Sequence, residues 1–154
     1  MSSGPTAGRI VAVCLGPGGI PKRSVERARV GELGLEGDGH RYRLHGGRDR
    51  ALCLLSVAEV RALEADGVRV VGPGAFGENL LYEGLDPRDL RPGDRLRVGA
   101  EVELELTDVR EPCKVLRAID ARFPDLMLGR SGHLARVLRP GAVAAGDALE
   151  PVDA

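Results

Sequence analysis

The sequence predicts a mainly β domain of α+β character, a β-barrel carrying two or more short helices. Three observations point there. Its 154 residues suit a single domain around one core. Its 22 glycines and 10 prolines fall between short apolar runs, where they act as turn punctuation. The apolar runs are of strand length, and one segment alternates with a period of two.

The elements follow in order. Residues 1–8 read as a flexible tail ahead of one domain spanning 9–154. The tail lacks the basic and apolar segments of a secretory signal, so a reducing cytoplasm is expected. Residues 9–16, RIVAVCLG, form a continuous apolar, β-branched strand ended by glycine. A GPGGIP turn follows, and residues 25–33 suggest a second strand. The polar stretch GLEGDGHRYRLHGGRDR, residues 34–50, has no helical period; a loop this long inside a domain is commonly functional. ALCLL, residues 51–55, reads as a buried strand. Ser56 and Glu59 then make an S-x-x-E capping box, and Gly67 supplies the stop of a helix striped by Val57, Val60 and Leu63.

Residues 68–71 suit a strand or a turn, and GPGAFGEN, 72–79, is a second glycine-rich loop. NLLYEG reads as a strand, and LRPGDRLRVG as a turn with a strand behind it. VELELTDV places Val102, Leu104 and Leu106 on one face and Glu103, Glu105 and Thr107 on the other, the pattern of a half-buried antiparallel strand. Residues 113–123 suggest a second helix, with Val115, Leu116, Ile119 and Phe123 on one face and Pro124 at its end. LRPGAVAAGDALEPV offers a final turn-and-strand pair.

Composition also removes function classes. Net charge is −1, so the basic excess of a bulk electrostatic nucleic-acid binder is absent. No apolar run is long enough to span a membrane as a helix. Cys14, Cys53 and Cys113 lie far apart without a C-x-x-C, which fits neither a disulfide framework nor a structural zinc site.

Cys113 is the sharpest chemical feature. It follows Pro112 at the expected start of a helix, where free N–H groups and the dipole favour a thiolate. Arg110 and Lys114 push the same way. The thiolate is both a nucleophile and a ligand for soft metals. Cys14 and Cys53 sit inside apolar strands and read as small core residues. His40 and His45 lie in the long loop near Asp38 and Asp49. They either orient that loop or act, with Asp49, in acid–base chemistry; their spacing is not a zinc motif. His133, between glycine and leucine, reads as a surface residue or as support for others.

Arg48, Arg50, Arg110, Lys114 and Arg136 stand near glycine-rich loops or near Cys113, and such cations suit an anionic ligand. Glu78 and Asn79 close the PGAFGEN loop. They suit either contact with a bound heterocycle or fastening of the loop, and fastening is the stronger reading for Asn79.

Six motifs occur in register: G-D-G-H at 37–40, H-G-G-R-D-R-A at 45–51, P-G-A-F-G-E-N-L at 73–80, P-G-D at 92–94, R-E-P-C at 110–113 and R-P-G-A-V-x-x-G-D at 139–147. Together they resemble the MOSC domain, named after the C-terminal domain of molybdenum cofactor sulfurases. The resemblance runs from about residue 9 to residue 150. It implies a β-barrel associated with the molybdenum cofactor, a pterin dithiolene bearing a phosphate. Pyridoxal phosphate is a further association of the family as a whole. The family's key cysteine matches Cys113. In the sulfurases it is proposed to relay sulfur as a persulfide, and in amidoxime-reducing relatives it ligates molybdenum. Other members protect bacteria against N-hydroxylated bases. His45, Asp49, Arg50, Phe76, Glu78 and Asn79 match as well. The N-terminal barrel extension, desulfurase domain and iron–sulfur cysteines of larger relatives have no counterpart in the sequence, so a partner protein must donate electrons or sulfur.

Four readings follow. The first is an oxidoreductase whose molybdenum is held by Cys113 and whose small-molecule substrate is N-hydroxylated. The second is metal-free sulfur transfer or carbon–sulfur cleavage by a Cys113 thiolate or persulfide. The third is a non-catalytic cofactor carrier. The fourth is a barrel in which Cys113 is structural. The first two share Cys113. The catalytic candidates are Cys113, His45 and Asp49, with Arg48, Arg50, Glu78, Asn79, Arg110, Lys114 and Arg136 around the ligand.

Overall fold

The structure, a computed structural model, describes residues 7–39, 47–112 and 114–152. Among the described residues, eleven strands and one α-helix make the frame: β1 (Gly8–Leu15), β2 (Arg23–Val25), β3 (Arg27–Gly31), β4 (Gly34–Leu35), β5 (Leu52–Ser56), α1 (Val57–Ala65), β6 (Leu80–Glu83), β7 (Arg95–Val98), β8 (Val102–Val109), β9 (His133–Arg139), β10 (Gly141–Ala144) and β11 (Ala148–Val152). Seven strands close a barrel in the order β1-β6-β5-β9-β8-β7-β11, and β11 returns to β1. Closure removes the free edges that an open sheet would expose. β2 adds to β1, while β10, β3 and β4 form a separate small sheet.

The barrel is antiparallel except at one seam, where β5 runs parallel to β6 with Leu54 opposite Leu80 and Ser56 opposite Tyr82. Parallel neighbours need a crossover, and α1 lies within the chain that links these two. The two-sided burial of β5 explains its uninterrupted apolar run. Leu52 and Leu54 enter the barrel, while Leu55 joins the layer outside it. β8 buries Val102, Leu104 and Leu106 inside, as its alternation requires. Each such side chain contributes about 1.5–3 kcal/mol of burial.

Outside the barrel, Cys14, Leu55, Leu63, Phe76, Leu81, Leu116, Phe123 and Met127 form a second apolar cluster. Phe76 and Phe123 meet edge to face, with ring centroids 6.0 Å apart. Among the described residues, no helix is long and apolar enough to cross a membrane.

The second expected helix is shorter and tighter than its period suggested. Residues Lys114–Ala118 form a 3-10 turn. Asp120 ends it by accepting the Arg122 N–H at 3.0 Å, and the Arg117 Nε donates to the Phe123 carbonyl at 3.2 Å. A short polar side chain bonding nearby backbone competes with helix continuation. Leu116 and Phe123 still bury as expected. β9 is an element that the sequence reading did not anticipate. The expected strand at 25–33 divides into β2 and β3.

Candidate functional site

The R-E-P-C segment begins where β8 ends. Val109, the last residue of β8, pairs with His133 of β9. The next residue, Arg110, is gripped through its own peptide groups. Its N–H donates to the Gly132 carbonyl at 2.9 Å, and the Ser131 hydroxyl donates to its carbonyl. Gly132 is obligatory there: its φ is +91°, and a Cβ would stand 2.2 Å from the Leu54 carbonyl oxygen. Cys113 itself, with His40 and His45, lies outside the described residues.

The Arg110 guanidinium turns toward the PGAFGEN loop. Nη2 donates to the Phe76 carbonyl at 2.6 Å. Nη1 is buried and has no hydrogen-bond partner among the described residues. Glu78 shapes the loop from inside, accepting the Gly74 N–H at 2.8 Å and the Phe76 N–H at 3.1 Å. Burial pushes its carboxyl group up from the usual range, while those N–H groups and Arg110 pull it down. Asn79 joins three segments. Its Oδ1 accepts the Cys53 N–H at 3.0 Å, and its Nδ2 donates to the Cys14 carbonyl and to Asp38. Both side chains therefore fasten the loop.

Asp38 anchors the near end of the segment that carries His40 and His45. Its carboxylate takes the Gly16 N–H at 3.0 Å, Lys22 Nζ at 2.9 Å and Asn79 Nδ2 at 2.9 Å. The Lys22–Asp38 ion pair is buried. At the far end, Thr107 Oγ1 donates to the Asp49 carbonyl at 2.5 Å, and Arg136 reaches Asp49 Oδ1 at 3.6 Å. Carboxylate-bearing residues thus pin the chain on either side of 40–46.

Asp49 and Arg50 open onto a cleft of about 700 Å³, whose walls include Glu105, Thr107, Asp108, Val109, Glu111 and Arg136. The cleft connects the H-G-G-R-D-R end of the long loop with Glu111, two residues before Cys113. Arg136 is committed to Glu105, to which its Nε donates at 2.6 Å.

The expected residues therefore fall into two groups flanking the R-E-P-C segment. Asp49, Arg50 and Arg136 line the cleft, while Glu78, Asn79 and Arg110 meet at the PGAFGEN loop. Arg48 stands apart, paired with Glu32 at 2.5 Å, and Lys114 is exposed at the start of the 3-10 turn. Cys14 and Cys53 are core residues, and burial raises both thiols, Cys14 to about 12. His133 is buried, not at the surface; its Nε2 lies 3.1 Å from the Leu90 carbonyl oxygen. Lys22, Ser131 and Gly132 were not legible as site residues, because their partners lie far away in the chain.

Residues 41–150 match the model of the family described as the MOSC domain. The chain belongs to the MOSC domain family. The matched MOSC span contains Arg50, the cleft, the PGAFGEN loop and the R-E-P-C segment. The chain is 36% identical over 146 residues to Protein YiiM of Escherichia coli, covering 88% of this chain and 64% of that protein. It is 30% identical over 126 residues to a protein of Gibberella moniliformis named Reductase, covering 75% of this chain and 22% of the other. The chain thus spans less than two thirds of either relative. The crystal structure of Escherichia coli YiiM superposes with a TM-score of 0.77 at 31% identity, covering 97% of this chain and 71% of that one.

Proposed function

We propose that this MOSC domain binds the molybdenum cofactor, with Cys113 as the protein ligand to molybdenum, and reduces N-hydroxylated compounds. One observation carries the reading. Arg110, three residues before Cys113, holds a buried Nη1 with no partner among the described residues while its Nη2 is fixed on Phe76. Leaving an N–H donor of a buried cation unspent is costly, and an anion pairs with it strongly. The phosphate of a pterin cofactor is such an anion, so the residues present fit the group. Family membership and a relative named Reductase support the same direction.

Bound molybdenum supplies a two-electron couple suited to breaking an N–O bond. Two electrons and two protons convert an N–OH group into N–H and water. Arg110 would hold the anionic end of the cofactor. Cys113, as a thiolate, would be the protein ligand to the metal. The substrate enters the cleft between Asp49, Arg50 and Glu111. Asp49, which lies 3.6 Å from Arg136, and His45 are the residues for acid–base chemistry at the departing oxygen. Arg50 and Lys114 add positive charge, and Glu78 and Asn79 keep the loop in place. Electrons come from a partner protein.

The test is turnover of an N-hydroxylated nucleobase by protein produced in a cofactor-competent host, with a reduced viologen dye as electron donor. The expected result is dye oxidation by the wild type and its loss in Cys113→Ser. Undiminished turnover in Cys113→Ser contradicts the proposal. A Cys113-dependent mass gain of about 32 Da after treatment with a cysteine desulfurase and cysteine, without turnover, moves the assignment to sulfur transfer through a persulfide.

A further inference from the structure

We infer that Glu59, the capping residue of α1, is a positioning residue for the site: it sets the place of Arg110, and through it the segment that bears Cys113. Glu59 is buried, and both of its oxygens are in use. Oε1 accepts the Ser56 N–H at 3.0 Å and the Ser56 hydroxyl at 2.9 Å, closing the capping box. A cap needs no more than that. Oε2 instead accepts the Gly132 N–H at 3.1 Å, from the segment that leads into β9. The Gly132 carbonyl takes the Arg110 N–H, and the neighbouring Ser131 hydroxyl donates to the Arg110 carbonyl.

One carboxylate therefore ties the start of α1 to the two residues that clasp the Arg110 peptide. Gly132 cannot drift to compensate. It sits within van der Waals reach of the Leu54 carbonyl, and its φ of +91° is a conformation that glycine adopts without strain. Hydrogen bonds from N–H to a buried carboxylate are among the strong ones. Among the described residues, the Arg110 side chain then has one tether, at the Phe76 carbonyl. Glu59 does not line the cleft, so it acts through Arg110.

The inference rests on Arg110 and Cys113 being the working residues, but its test is independent of cofactor. Amide hydrogen exchange is read at Arg110, at Gly132 and in the first turn of α1, in the full chain. Ser56→Ala removes the hydroxyl cap and leaves Oε2 on Gly132, so exchange accelerates in α1 alone. Glu59→Ala accelerates exchange at Arg110 and Gly132 as well, by about tenfold. It also changes the pH profile of Cys113 alkylation by iodoacetamide, which Ser56→Ala leaves as in the wild type. Unchanged exchange at Arg110 in Glu59→Ala overturns the inference. Should that variant fail to fold, the denaturant dependence of exchange in the wild type decides. The account requires the Glu59, Gly132 and Arg110 amides to open in one step; separate openings overturn it. In cofactor-free protein, a wild-type Cys113 that never alkylates counts against the functional reading, and the exchange data stand regardless.

Discussion

Replacing Asp38 by alanine tests how the long loop is rooted. The change removes one carboxylate from three donors: the Gly16 N–H, the Asn79 amide and the Lys22 ammonium. Lys22 and Asp38 side chains are only 8% and 3% exposed, so water cannot take over. Breaking a buried pair from one side leaves an uncompensated charge and costs about 3–5 kcal/mol. That is a large share of the roughly 5–15 kcal/mol typical of a domain. Pairing Asp38→Ala with Lys22→Met removes the stranded charge. The double variant should therefore cost less than the sum of the singles, with a coupling of about 1–3 kcal/mol. Equilibrium urea unfolding at neutral pH measures all four proteins, provided the denaturant slope is unchanged. A cost below about 1 kcal/mol for Asp38→Ala, or strict additivity of the two changes, refutes the reasoning.

Three further outcomes are expected. Gly132→Ala places a Cβ 2.2 Å from the Leu54 carbonyl oxygen at a φ of +91°, and should cost about 3 kcal/mol or more in urea unfolding. Cys14 keeps its proton in the native state up to about pH 12, whereas its ordinary value is 9.0. Burial is the main cause and the Glu78 carboxylate the next. The unfolded chain loses that proton first, so the stability Cys14 contributes is complete below pH 9.0 and is lost as pH rises toward 12. Cys14→Ala should flatten the fall of stability over that window, and an identical slope would count against the assignment. Arg110→Lys keeps the charge but replaces a planar fork by a point charge; it should weaken molybdenum retention by at least about tenfold, read from metal content after dialysis.

The barrel was largely legible in the sequence because its strands carry their own signals. β8 alternates without interruption, and β5 is apolar throughout because both of its faces are covered. β9 hid because its outward face mixes Leu134 with Arg136, a bulge at Leu138 breaks the alternation, and its inner face offers only Ala135 and Val137 as apolar residues. The 113–123 segment showed the right buried face, Leu116 and Phe123, but the turn at Asp120 that ends the 3-10 element is a local polar competition that periodicity does not register. At the site, the cleft group Asp49, Arg50 and Arg136 could be named, although the pairing of Arg136 with Glu105 comes from strand register. Glu59 was visible as a cap. Its bond to Gly132 spans 73 positions and has no local trace. The same holds for Asp38 and Asn79, 41 positions apart.

The central claim, that Cys113 and Arg110 hold the molybdenum cofactor, is tested most directly by metal analysis. Molybdenum would be counted per chain in the wild type, in Cys113→Ser and in Arg110→Ala, each purified from a cofactor-competent host. The account predicts near-stoichiometric molybdenum in the wild type and strong loss in both variants. Wild-type protein without molybdenum, or variants that keep it in full, would contradict the account.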